Sequence, residues 1–247
     1  MTLFTAAALC AYFIKGLCGF ANTLIFSCIL SFGVDNINIS PVDLFLGFPA
    51  NTIVAWKNRK DLNWRTWAPL AALVLLGNVP GILLLKKVDA RLIKILFGIA
   101  VVGIGLEMLA REFGRGEPRA DNSAKPKGSK AVLALIGVVS GVLCGLYGVG
   151  ALLAAYMSRV TDSSRAFKAN ICAVFITENV FRLVVYGATG ILTLQALRQA
   201  VLLVPFMLAG LWLGMKSAGR MNESAVRKIV IVVLIISGAS LVVTNLL

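Results

Sequence analysis

Apolar runs long enough to cross a bilayer follow one another almost without pause along this chain. They cover roughly residues 3–32, 40–56, 66–85, 92–110, 131–157, 167–187, 192–215 and 229–247. A spanning helix needs about 20 mostly apolar residues. Backbone inside lipid must satisfy its own hydrogen bonds, so such runs are expected to be helical. Little chain is left for a water-soluble domain. Charged residues make up only 14% of the sequence, against about a quarter in a soluble domain. The chain reads as an all-α polytopic membrane protein. No positive charge precedes the first run, so that run is expected to stay in the mature protein rather than act as a cleaved signal.

The second half of the chain retraces the first. Gly16–Ala21 reads G-L-C-G-F-A, and Gly145–Gly150 reads G-L-Y-G-V-G. The same spacing sets Pro80-Gly81 against Ala209-Gly210, and D-A-R-L-I-K-I-L-F from Asp89 resembles E-S-A-V-R-K-I-V-I from Glu223 after a short insertion. Between the halves lies the one polar, low-complexity stretch, rich in Gly, Pro, Ser and both charge signs, as a flexible linker is. The expected organisation is a first transmembrane repeat over 1–112, a basic linker over 113–130 and a second repeat over 131–247. Each repeat holds about four apolar segments.

A single helix through residues 3–32 would be about 45 Å long, against a hydrocarbon core of about 30 Å. Either it tilts steeply, or it breaks at its glycines into a re-entrant hairpin. Charge favours the hairpin. With every segment crossing, the basic loops divide almost evenly between the two faces, against the positive-inside rule. With the first and fifth segments re-entrant, loops 57–65, 111–130, 159–168 and 216–228 share one face, and only loop 86–94 dissents. That arrangement makes the two repeats inverted relative to each other.

Paired glycine breaks at membrane depth are the sequence trace of a transporter built from two halves around one site. Gly16, Gly19, Gly145, Gly148 and Gly150 are therefore candidates to open the backbone and expose helix N-termini, which attract anions. Close helix packing is the competing use of such small residues. Lys15, inside an apolar run, costs about 2.5–3.5 kcal/mol to insert unless it is partnered or faces a polar cavity; it is a candidate cation for an anionic substrate. In the sixth segment Glu178 and Arg182 stand one helical turn apart and can pair. Arg182 is the second candidate substrate cation. Glu178 is the candidate proton carrier, because carboxylates inside membranes mark proton and ion pathways. Asn51 and Thr52 fall near Glu178 and Asn179 in the repeat alignment, so Asn51, Thr52 and Asn179 are expected to hydrogen-bond the substrate. Asn22 and Asn78 are weaker candidates, and both read better as interhelical hydrogen bonds. Ser40-Pro41-Val42-Asp43 reads as ordinary helix punctuation, with Ser40 as N-cap.

Other chemistry is disfavoured. The chain has no histidine, the commonest general base and metal ligand, and shows no phosphate-binding loop, dinucleotide fingerprint or metal-ligand spacing. Neither an enzyme, a metal nor a cofactor is expected. The net charge of +13 belongs to topology and to contact with anionic lipid rather than to nucleic acid. The five cysteines, Cys10, Cys18, Cys28, Cys144 and Cys172, read as small buried hydrophobes. Trp56, Trp64 and Trp67 flank loop 57–65 as an interfacial belt does.

The repeated G-x-x-G-x-small motif, the four-plus-four segment layout, the basic central linker and the length together resemble the TauE/SafE, or sulfite-exporter-like, family of permeases. That resemblance covers essentially the whole chain. It implies a bacterial inner-membrane, multi-pass secondary transporter that exports a small sulfur-containing anion, such as sulfite or sulfoacetate, coupled to protons or sodium. It carries the glycine roles to Gly16, Gly19, Gly145, Gly148 and Gly150, while Ala21 and Asn22 replace glycines common at those places. A passive anion channel and a non-transporting membrane scaffold are the alternatives, and a homodimer is one arrangement compatible with the sequence.

Overall fold

The computed structural model describes residues 2–30, 36–87, 90–113, 138–139, 141–142, 151–161 and 163–218, with positions 228, 231–232, 235–236, 238–239, 242–243 and 246 of the last apolar run. Among these residues every regular element is helical. In chain order they are α1 (Thr2–Cys18), α2 (Asn22–Leu30), α3 (Asn36–Lys57), α4 (Trp64–Lys87), α5 (Ala90–Phe113), α6 (Ala151–Val160), α7 (Ser164–Ala188) and α8 (Leu194–Ala218). A short 3-10 turn, Arg59–Asp61, joins α3 to α4. Apart from Phe113, which ends α5, the linker expected at 113–130 lies outside the described residues. So do Gly145, Gly148 and Gly150.

The first apolar run is broken. Gly19 takes φ 88° and Ala21 takes φ 72°, left-handed values that reverse the chain between α1 and α2. Gly19 N–H donates back to Lys15 O at 2.6 Å and closes α1, while Ile25 N–H donates to Ala21 O at 3.1 Å and opens α2. The two half-helices then fold against each other, bringing the Phe4 and Phe26 rings to 6.4 Å in an edge-on contact. One straight helix would separate those residues by about 33 Å. Gly16 does not take part in the break; it stays in the last turn of α1.

Gly16 serves packing instead. A Cβ built there would lie 2.5 Å from the Leu211 carbonyl oxygen and 2.7 Å from Met215 N, so α1 and α8 meet backbone to backbone. From the other side, Gly210 admits the Leu9 carbonyl and Gly214 the Phe13 carbonyl. This is the small-x-x-x-small pattern by which helices approach in lipid. A matching contact links α4 to residues 138–141: Gly77 has no room for a Cβ beside the Val138 carbonyl, nor Gly141 beside that of Val74. α5 packs against the last apolar run through Gly98 on Val242 and Gly238, and Gly105 on Ile235. Arg91 donates to Leu246 O at 3.0 Å, so α5 and that run are antiparallel.

The main buried cluster draws on α1, α2, α3, α4, α6, α7 and α8. Outer faces are apolar too: Leu76, Val184, Val201 and Ile236 are all exposed, which suits a lipid surround better than water. α7 and α8 are long and apolar enough to cross a membrane. Trp56 and Trp64 are exposed at either side of the 3-10 turn, and the Arg59 guanidinium lies 4.7 Å from the Trp56 ring centre. α3 starts earlier than Ser40; Ser40 and Pro41 both lie within it.

Candidate functional site

A broken helix inside the bundle turns one end of α1 and the start of α2 toward the middle of α3. Lys15, in the last turn of α1, donates from Nζ to Asn22 Oδ1 at 2.9 Å and to Asn51 Oδ1 at 2.6 Å. Asn22 is the first residue of α2, and Asn51 lies on α3. Thr23 donates from Oγ1 to Asp43 Oδ2 at 2.7 Å, and Asn22 Nδ2 reaches Asp43 Oδ1 at 3.4 Å. The first helical bond of α2 is made by Ile25 N–H, so the N–H groups of Asn22, Thr23 and Leu24 have no acceptor within the helix. A carboxylate is the natural partner for such a terminus. Here Asp43, supplied by the chain itself, stands beside it.

A second cluster continues from the first along α3 and α7. Arg182 donates to the Ser40 hydroxyl and, from a terminal nitrogen, to Tyr186 OH at 3.0 Å; the two hydroxyls are 3.1 Å apart. Arg182 Nε faces Glu178 Oε1 at 3.4 Å, a charge contact without hydrogen-bond geometry. Asn78 of α4 donates from Nδ2 to the same Glu178 oxygen at 3.3 Å. Aromatic faces lie against both cations: Lys15 Nζ is 5.7 Å from the Phe175 ring centre, and the Arg182 guanidinium 5.1 Å from that of Tyr186.

These charges are shut away from the surface. Relative exposure is 0% for Lys15, 1% for Arg182 and 3% for both Asp43 and Glu178. Two cations and two carboxylates cancel, which is how buried charge becomes tolerable. Several polar atoms nonetheless lack a hydrogen-bond partner while fully buried: Tyr12 OH, Asn78 Oδ1 and Asn179 Nδ2. Leaving such groups unpaired costs about 1–3 kcal/mol each, so their persistence calls for a ligand or ordered water.

Of the residues singled out from sequence, Lys15, Asn22, Asn51, Glu178, Asn179 and Arg182 come together here. Thr52 does not. It is exposed, and its hydroxyl donates to Phe48 O of its own helix at 2.9 Å. Gly19 forms the break, where its carbonyl accepts from Cys172 Sγ at 3.4 Å. Asn78 makes the interhelical bond expected of it. The sequence reading missed Asp43 and Ser40, taken as punctuation, together with Tyr12, Thr23, Gly47 and Tyr186. A signal was present for two of them: Ser40, Asp43 and Asn51 stand three and then eight residues apart, on one face of an otherwise apolar helix.

The chain matches the family described as sulfite exporter TauE/SafE over residues 4–241. Comparison with curated proteins and with solved structures finds no match. The bundle is apolar on its outer faces and holds a neutral, hydrogen-bonded charge centre at a helix break. With the family match running over nearly the whole length, the chain belongs to the sulfite exporter TauE/SafE family of membrane transport proteins.

Proposed function

We propose that the protein is a secondary transporter that exports a small sulfur oxyanion or organosulfonate, such as sulfite or sulfoacetate, across the bacterial inner membrane by alternating access. The buried charge centre carries this reading. Lys15 and Arg182 attract the anion, and Asn22, Asn51 and Asn179 supply hydrogen bonds to its oxygens. Two cations already balanced by two carboxylates make an added monovalent anion a net negative charge in a dry site. A proton on one carboxylate restores neutrality for a monovalent anion such as hydrogensulfite, and a dianion such as sulfoacetate takes a proton on each. Glu178 is held by Arg182 and Asn78; Asp43 is the second candidate, facing the α2 terminus. A neutral loaded site is indifferent to membrane potential, so direction follows the anion and proton gradients.

Matching helix contacts in the two halves support a carrier built from two repeats. Gly77 meets Val138 as Gly210 meets Leu9. In both cases the third segment of one half packs on the first segment of the other. Read through these contacts, Gly77 and Gly81 correspond to Gly210 and Gly214, one helical turn away from the sequence pairing of Gly81 with Gly210. The folded-back α1 and α2 support a re-entrant first segment.

Counterflow in proteoliposomes tests the reading. Vesicles preloaded with unlabelled sulfite should transiently accumulate labelled sulfite against its gradient. Uptake that never saturates, with unitary currents, would assign a channel. No flux and no sulfite-dependent thermal stabilisation would assign a scaffold; a binder at about 100 times its Kd gains about 2.7 kcal/mol.

A further inference from the structure

We propose that anion recognition is centred on Gly47, where the Tyr12 hydroxyl and the side-chain amides of Asn22 and Asn179 form a three-donor cradle for an oxygen of a compact oxyanion. This rests on the transport reading and names the subsite within it. Gly47 lies buried in the middle of α3, two residues before Pro49. A helix interior disfavours glycine, so its presence there wants a reason. The position of its missing Cβ is 3.7 Å from Asn179 Nδ2, 3.7 Å from Asn22 Nδ2 and 3.9 Å from Tyr12 OH.

Three donors from three elements, α1, α2 and α7, thus surround one patch of bare backbone. Two of them have no partner: Tyr12 is 0% exposed and Asn179 5% exposed, and neither Tyr12 OH nor Asn179 Nδ2 is hydrogen-bonded. Asn22 and Asp43 are the polar neighbours of the Tyr12 hydroxyl, but neither meets it in hydrogen-bond geometry. Two unmatched donors and the Asn22 amide, which also reaches Thr23 and Asp43, lie within 4 Å of one point, an arrangement complementary to an acceptor with lone pairs on every side, which an oxyanion oxygen supplies. Lys15 stands beside the cradle through Asn22 and adds charge attraction. Large substituents are excluded where the donors converge, so selectivity acts on the oxyanion head, while a tail such as that of a sulfonate must project elsewhere.

Gly47→Ala separates this proposal from a merely structural glycine. Its methyl would sit at ordinary van der Waals distance from all three donors, so the helix is not forced apart, yet it fills the volume that the oxygen needs. Purified protein is titrated with sulfite, read by thermal shift and calorimetry, for the wild type, Gly47→Ala and Tyr12→Phe. Gly47→Ala should melt no lower than wild type without ligand and lose sulfite affinity by tenfold or more. Tyr12→Phe, which removes one oxygen, should weaken sulfite about tenfold and covers the case of a Gly47→Ala protein that does not fold. Wild-type protein that binds sulfite, with both variants binding equally well, would overturn the cradle and leave transport standing; a water-filled pocket gives that result. Wild-type protein indifferent to sulfite, sulfate and methanesulfonate would overturn the transport reading and the cradle with it.

Discussion

Replacing Asp43 by Asn should make the site bind anions more tightly and remove the part of the pH dependence that Asp43 supplies. Asn22 Nδ2 lies 3.4 Å from Asp43 Oδ1 and 3.7 Å from the cradle point at Gly47. The carboxylate is therefore no more than about 7 Å from a bound oxygen. At an effective dielectric of about 20, two like charges at that separation repel by about 2.4 kcal/mol, which is about 50-fold in affinity. In the wild type a proton on the carboxylate removes that repulsion, so sulfite binding should tighten as pH falls. In Asp43→Asn the tight state is permanent, and the pH dependence from this group disappears. Stability should fall by about 3–5 kcal/mol, because the buried set is left with an unbalanced positive charge and the amide oxygen accepts from Thr23 without charge assistance. Calorimetric titration with sulfite across a pH series, in detergent, reads the effect. Weaker binding in Asp43→Asn at every pH would refute the argument, because the carboxylate would then be holding donors in place rather than opposing the anion.

Other outcomes follow from packing and topology. Ala21→Gly removes a left-handed alanine strained by about 1–2 kcal/mol but adds chain freedom worth about 0.5–1 kcal/mol; its thermal midpoint should match or slightly exceed wild type, whereas Ala21→Val should fall well below it. Gly214→Leu must push against the Phe13 carbonyl; such overpacking costs about 1–3 kcal/mol or more, visible as lost monodisperse protein in size-exclusion chromatography. Thr52→Ala should leave transport unchanged and stability within about 0.5 kcal/mol, because that hydroxyl serves only its own helix. In a cysteine-free background, Ser129→Cys and Ser164→Cys should both react with an impermeant reagent from the same side if the first and fifth segments re-enter, and from opposite sides if all segments cross. Ser164 is preferred to Ser163, whose side chain caps α7 by accepting from Ala166 N–H at 3.1 Å.

The helical class and most segment limits were legible because lipid leaves the backbone few choices. The break in the first segment was legible as a glycine cluster, but not which glycine makes it. Gly16 and Gly19 look alike in sequence, and only the approach of α8 shows that one packs while the other turns. Intramembrane charges were legible for the same reason the class was: Lys15, Glu178 and Arg182 stand out against apolar neighbours. Asp43 escaped because it follows Ser-Pro, a pattern that also marks helix starts, and α3 begins one turn sooner. Tyr12 and Gly47 carry no charge to betray them. Their role depends on three elements converging, which no single stretch of sequence displays. Thr52 was drawn in by adjacency to Asn51, yet neighbours on a helix point about 100° apart.

Proton movement during sulfite transport tests the account most directly. Proteoliposomes with a trapped pH indicator, loaded with sulfite and then diluted, should show protons leaving with the anion, and the proton signal should vanish in Asp43→Asn/Glu178→Gln while the anion still binds. Sulfite efflux from the wild type with no proton movement, and with current that follows an imposed potential, would contradict a neutral loaded site.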